Sequence, residues 1–397
     1  MTRTILHIAG IAIAGVSTSL ATAQGAAAQA HDHTKMNAGP SWQLMQDGVV
    51  FAEFNHQGSP RGGQELVAPN WWMGTASRNT SHGRFTFDAM FSLEPATVGA
   101  EGYRDIFQAG EVFHGAAIVD RQHPHDFFTQ LAIAWHTPIG ASSGLTIAVA
   151  PVGEPALGPV AFMHRASAID NPTAPLSHHV FDSTHVSFGV ATVAIDHGMW
   201  TVEGSLFNGR EPDEHRWDFD FGKLDSVSGR VWFTPGPAWA FQFSSGRLIH
   251  PEQLEPGNAT RTTLSASWTR ASAAALTAIT LGYGRHAADH GTRHAVFSEA
   301  TVRAGPNTAY GRLEAVQLET SPPAERGPVW AFTAGGVRDM LKASRFEGGV
   351  GADVTFYAAP GELRPTYGAH PMSFHVFFRL RPPAPGGRML NMRMAQP

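Results

Sequence analysis

Apolar and polar residues alternate along most of this chain. The pattern is cleanest from Gly83 to Glu94, where Phe85, Phe87, Ala89, Phe91 and Leu93 face one way and Thr86, Asp88, Met90, Ser92 and Glu94 the other. A period of two belongs to a β-strand with one apolar and one polar face. It recurs as Leu131, Ile133 and Trp135 against Gln130, Ala132 and His136, as Trp239, Phe241 and Phe243 against Ala240, Gln242 and Ser244, and as Leu264, Ala266 and Trp268 against Thr263, Ser265 and Ser267. Val350, Ala352, Val354 and Phe356 stand against Gly351, Asp353 and Thr355. The last stretch alternates Met372, Phe374, Val376, Phe378 and Leu380 with Ser373, His375, Phe377, Arg379 and Arg381, then breaks at Pro382-Pro383. A strand of about ten residues crosses a hydrocarbon layer at a tilt.

Two kinds of connection join these stretches. Tight turns rich in Gly, Pro, Asn, Asp and Ser fall near residues 79–82, 138–143, 196–198, 235–237, 271–274, 305–307 and 342–344. Between them lie mostly longer loops, of which residues 95–126 and 153–184 are the longest. Short turns on one rim and longer loops on the other predict an up-and-down barrel of sixteen strands, with fourteen as the alternative. The first strand is expected to begin near Met45, the second near Gln64 and the last near Met372.

Composition narrows the picture. The 397 residues contain no cysteine, which removes disulfide scaffolds, thiolate metal sites and cysteine nucleophiles. Charged residues make up 15%, against roughly 25% in an ordinary soluble domain, too few for solvated helices or a disordered chain. A net charge of −5 leaves no basic excess to hold a phosphate backbone, so nucleic acid is not an expected partner. Arg3 precedes an apolar stretch from Ile5 through Val16 to Leu20, and Ala21-Thr22-Ala23 and Ala28-Gln29-Ala30 follow it. These features predict a signal peptide over residues 1–30, cleaved after Ala23 or Ala30. Residues 31–44 then form an N-terminal segment, 45–381 the barrel and 382–397 a tail. No later run of about 18 apolar residues occurs, so only a closed β-barrel could cross a bilayer. A propeller would repeat a blade motif, and none is visible.

With its signal peptide, its alternating strands, ten Trp residues scattered near strand ends and a last strand ending Phe377-Phe378-Arg379-Leu380-Arg381, the chain resembles the porin-like β-barrels of the Gram-negative outer membrane. The resemblance is one of pattern over nearly the whole mature chain, without a specific motif, and the tail after the last strand departs from the usual barrel. It implies an all-β, single up-and-down antiparallel transmembrane β-barrel in contact with outer-membrane lipid, commonly a pore, and by analogy a homotrimer.

Histidine is the chemical anomaly. Of 21 in the chain, His114, His123, His125, His136, His164, His178, His179 and His185 lie in the region of the two longest loops. Ordered loops of about 30 residues are usually functional, and these two are expected to fold inward or cap the mouth. Asp120, Arg121, His123, His125 and Asp126 from the first loop, with His164, Arg165, His178, His179, Asp182 and His185 from the second, are expected to line a constriction for a small solute. Such a lining would change charge between about pH 5 and 8. As metal ligands, His123, His125, His178, His179 and His185 suit Zn or Cu, and cleavage after Ala30 would add His31 and His33 at a new N-terminus. Alternatively, the same side chains simply hydrogen-bond to one another and fasten the loops. Ser183, between Asp182 and His185, supplies the residue types of a Ser/His/acid hydrolase, though no G-x-S-x-G elbow accompanies it. Trp71-Trp72 should put one ring on each face of its strand. The order of preference is a porin-like barrel passing or binding a small solute, then a metal-handling barrel, then an outer-membrane hydrolase.

Overall fold

The computed structural model describes residues 41–254, 257–272, 274–289, 291–318, 327–383 and 388–394. The signal peptide, both cleavage sites, His31 and His33 lie outside the described residues.

Nineteen strands occur among the described residues. They are β1 (Gln43–Gly58), β2 (Gly63–Val67), β3 (Asn70–Thr80), β4 (Gly83–Phe91), β5 (Tyr103–Phe113), β6 (Ala116–Gln122), β7 (Phe128–Pro138), β8 (Ser143–Gly153), β9 (Ser187–His197), β10 (Trp200–Phe207), β11 (Ser226–Gly236), β12 (Trp239–Ile249), β13 (Asn258–Ala271), β14 (Ala275–Ala288), β15 (Gly291–Ala304), β16 (Asn307–Val316), β17 (Val329–Lys342), β18 (Glu347–Ala358) and β19 (Met372–Arg381). All but β5 and β6 belong to one antiparallel sheet in sequence order, and β1 closes it by pairing with β19 from Val50 opposite Leu380 to Gly58 opposite Met372. On its other edge β1 pairs with β3 and, further along in the same register, with β2. The two pieces are therefore one barrel strand, interrupted where Pro69 has no N–H to give the ladder. The seventeen-stranded sheet is thus a closed barrel of sixteen strands, and the strand expected from Gln64 is present with that break. The hairpin β5–β6 stands apart as a two-stranded sheet within the connection between β4 and β7.

Polarity is inverted relative to a water-soluble fold. Alternate side chains facing out are large and apolar, with Phe243, Leu264 and Val302 about half exposed at 48%, 52% and 50%. Their neighbours facing in are polar or charged and buried, among them Glu53, Asp88, Glu203, Arg230, Arg261, Glu299, Arg312, Glu314, His375 and Arg379. An apolar exterior round a polar lumen is stable only with lipid outside, and closing the sheet leaves no unpaired strand edge in that lipid. Outward aromatics gather near the short-turn rim, with Phe85 against Trp135 and Trp200 stacked on Phe233. Trp72 faces out beside Phe91, while Trp71 packs against buried residues.

Candidate functional site

The connection between β8 and β9, residues 154–186, is almost wholly buried. Its groups bond to polar side chains from strands all round the barrel. Ala156 N donates to Ser205 of β10 (2.7 Å), Gly158 N to Ser244 of β12 (2.9 Å), and Ser167 Oγ to Thr280 of β14 (2.7 Å). Ser177 N and Oγ donate to Glu314 of β16 at 2.9 and 2.7 Å, and Asp170 accepts from Arg379 and Arg381 of β19. Arg165 is the electrostatic centre of this packing. Its Nε lies 2.9 Å from Glu299 and one terminal nitrogen 2.7 Å from Asp182, while Glu299 also meets Arg312 at 3.0 Å. Two guanidinium groups and two carboxylates thus neutralise one another where no water solvates them. Gly284 on β14 provides clearance, since a Cβ there would sit 2.9 Å from Val180 and 3.1 Å from Phe181.

Asp182 carries this network to the histidines. Its Oδ1 accepts from His178 Nδ1 (2.7 Å), its Oδ2 from Arg165 and from Phe162 N (3.0 Å), and its carbonyl from His185 Nδ1 (2.7 Å). From the other long connection, His125 Nδ1 bonds to Glu94 Oε2 at 2.8 Å and His123 Nδ1 lies 3.1 Å from Glu111 Oε1. The four rings form a closed circuit, with centroids 6.3 Å apart for His123–His125, 5.2 Å for His125–His185, 5.2 Å for His185–His178 and 6.2 Å for His178–His123. Each Nδ1 faces an oxygen, so a neutral ring that donates from Nδ1 keeps its lone pair on Nε2, while a second proton on His125 would let its Nε2 donate to His185. The Nε2 atoms of His125 and His185 are 3.1 Å apart, and those of His123 and His178 are buried without a partner.

Burial sets the charge of these rings. It lowers His123, His178 and His185 below the ordinary imidazole range, His178 to about 4 despite its bond to Asp182. Burial also disfavours charge on His125, but Glu94 outweighs it and raises that ring. A charge change between pH 5 and 8 is therefore not carried by His123, His178 or His185, because they are enclosed and not water-lined.

Other expected residues take different places. His179 lies beside His178 and His123, with centroids 5.2 and 5.5 Å away, and packs against Gly110, whose Cβ would be 2.1 Å from its ring. Asp126 meets Arg216 at 3.5 Å, and Arg216 also pairs with Glu111. Asp120 holds Arg61 (2.7 Å) and Phe107 N (3.1 Å), and Arg121 reaches Gly102 O (2.8 Å), so neither joins the imidazole circuit. Phe107, Glu111, His114 and Asp120 all have φ between 53° and 73°, four of the six non-glycine residues with positive φ among the described residues, and all four lie in the β5–β6 hairpin. Ser183 is half-buried at the start of a short 3-10 turn with His185, and no hydrogen bond from its hydroxyl to an imidazole is seen among the described residues. The only trio that brings three ligand atoms within 4.8 Å among the described residues is Asp213, Asp218 and Asp220, partly exposed in the β10–β11 loop.

A second feature escaped the sequence reading. Met73, Met90, Met163 and Met389 form one buried cluster with Ala161, and Met45, Met392, Trp71 and Phe162 pack against it. Met389 and Met392 come from the tail, which returns into the barrel. Arg388 pairs with Asp47 (2.8 Å) and Glu347 (2.6 Å), Asn391 N donates to His164 O (2.7 Å), and Arg393 lies 4.3 Å over the Trp232 ring. Met90 sits among Thr86, Asp88 and Ser92 on the polar face of its strand, and that misplacement was the available signal.

No family model matches this chain, and no curated protein resembles it in sequence. Solved structures do share its form. OprB of Pseudomonas putida aligns over 86% of this chain and 94% of its own at a TM-score of 0.51 and 8% identity. The anion-selective porin from Comamonas acidovorans aligns over 86% and 100% (TM-score 0.48, 9% identity), and OmpT of Vibrio cholerae in its trimer form over 86% and 99% (0.46, 9%). The chain shares with OprB the fold of a closed, porin-like antiparallel β-barrel.

Proposed function

We propose that this outer-membrane barrel binds and handles a transition-metal ion in a lumen filled by residues 154–186. One observation carries the reading: the Nε2 atoms of His125 and His185 face each other at 3.1 Å while oxygens hold both Nδ1 protons. Two lone pairs at that distance repel unless a metal ion or a second proton on one ring lies between them. Nitrogens sharing a metal at about 2.0–2.1 Å in tetrahedral geometry are roughly 3.3 Å apart, close to this separation. A proton could also serve this pair; the buried, unpartnered Nε2 atoms of His178 and His123 are further imidazole donors, which the rings must close in to bring within 4.8 Å of the pair and of each other. Oxygen acceptors on the far nitrogen are the usual means of orienting metal-binding imidazoles. Imidazole sets suit Zn and Cu, and the absence of cysteine leaves nitrogen, oxygen and thioether as the donors. A cavity of about 40 Å³ lined by Trp71, Glu94, His125, Phe162 and Met163 adjoins the pair.

The test is elemental analysis of untagged, detergent-extracted protein beside a His125→Ala/His185→Ala variant. About one equivalent of Zn or Cu in the natural protein, lost in the variant, is expected. A natural protein that stays metal-free after incubation with either ion would overturn the reading.

A further inference from the structure

The methionine cluster differs in kind from the other buried clusters. The largest apolar cluster, by Phe181 and Phe297, is built from Ile, Leu, Val, Ala and aromatics. The cluster at Met163 contains no Leu, Ile or Val: its buried members are Met73, Met90, Met163, Met389 and Ala161. Methionine fills irregular gaps, but a core built for packing alone would be expected to mix it with branched aliphatics. Six of the ten described methionines converge here, from β1, β3, β4, the β8–β9 connection and the tail. Three others, Met199, Met340 and Met372, are exposed, and Met394 packs beside Gly153.

A second observation points to a ligand. His164 follows Met163, is 7% exposed and stands edge-on to Trp71 at 4.9 Å. Its Nδ1 is buried with no partner, although the backbone round it is fastened on both sides, with His164 O accepting from Asn391 N and Ala166 N donating to Asn391 Oδ1 at 3.1 Å. A buried imidazole nitrogen without a partner is costly unless something occupies it. Thioethers are soft donors that select Cu(I). In a chain with no cysteine, they are the only sulfur ligands.

We infer that Met73, Met90, Met163 and Met389, with the His164 imidazole, form a second, soft-metal site that takes Cu(I) and is completed only when the C-terminal tail docks. The site stands on residues separate from the imidazole circuit and shares with the proposed function only the class of ion. Phe162 joins the two, since its ring lies 5.3 Å from that of His178 while it packs against the methionines, and His125 and Met163 line one cavity. Binding involves no change of oxidation state.

The experiment titrates the full-length, untagged protein in detergent with Cu(I), anaerobically, against a chromophoric Cu(I) chelator. It compares the natural protein, Met389→Leu/Met392→Leu and His125→Ala/His185→Ala. Leucine nearly conserves volume, so packing is largely kept. The leucine variant is expected to lose one equivalent or bind it at least 100-fold more weakly, while the histidine variant retains it. X-ray absorption of the loaded natural protein should show sulfur neighbours to copper. Unchanged binding in the leucine variant, or copper with only nitrogen and oxygen neighbours, would overturn the inference. If the leucine variant fails to fold, the spectrum of the natural protein decides alone. Metal lost only from the histidine variant would leave the proposed function standing without this site, and sulfur-bound Cu(I) with no metal at the imidazoles would do the reverse.

Discussion

At the scale of single residues, Asp182 does the most. It neutralises Arg165, orients His178 through Oδ1 and fixes the proton of His185 through its carbonyl. Asp182→Asn keeps the carbonyl contact and the shape but removes the charge, leaving Arg165 to share Glu299 with Arg312. Removing one partner of a buried ion pair costs about 3–5 kcal/mol, and losing an orienting carboxylate weakens metal binding about 10–100-fold. Both effects are expected, read by denaturant unfolding and by competition for Zn. Equal affinity in the two proteins would mean that Asp182 only fastens the connection. Glu94→Gln should act similarly at His125, with a smaller loss of stability because no arginine is left unpaired by it.

At the scale of elements, residues 154–186 are held like a plug with several tethers. One is Asp170 between Arg379 and Arg381. Burial alone would raise this carboxyl, but the two arginines outweigh burial and lower it. A carboxylate with a depressed folded pKa stabilises fully above its unfolded value, about 3.9, and the stabilisation is lost as pH falls through the lower folded value. Protease cleavage within the connection should therefore stay slow from pH 8 to 5 and accelerate only below about pH 4. Asp170→Asn should permit cleavage at neutral pH; equal cleavage of both proteins at pH 7 would sink the tether. Gly284→Val belongs to the same scale. It drives a side chain into Val180 and Phe181, so it should loosen the short helix His178–Phe181 and release metal before the barrel unfolds, as followed by metal content against β-sheet circular dichroism.

At the scale of the molecule, a polar lumen and apolar exterior make a wall that does not depend on its plug. The wall's hydrogen bonds run strand to strand, and β1 with β19 completes them without the loops. Deleting residues 160–181 and bridging the ends with glycine and serine should leave a folded barrel and raise single-channel conductance in a planar bilayer at least several-fold. Equal conductance would mean that the connection does not obstruct the lumen. Closure of the strand circle also explains why the sixteen strands were legible from alternation. Lipid on one side and polar groups on the other impose a period of two on every crossing, so the information is local. Even the exception was written locally, because Pro69 breaks a strand whose register continues on both sides of it.

The sequence by itself determined the all-β barrel, a strand number of sixteen with fourteen as the alternative, its two kinds of rim and the two loops where histidine concentrates, because each depends on residues close together in the chain. Tertiary structure alone decided which histidines meet. His123 and His125 are joined to His178 and His185 only because Glu94, Glu111 and Asp182 turn their rings toward one another, whereas Asp120 and Arg121, although in the same motif, turn to Arg61 and Gly102. The charges that bury residues 154–186 lie on β15, β16 and β19, and the methionines at His164 are drawn from both ends of the chain. Contacts of that span leave no periodicity to read. They form because a closed wall brings inward-facing polar groups from distant strands within hydrogen-bonding reach of one another.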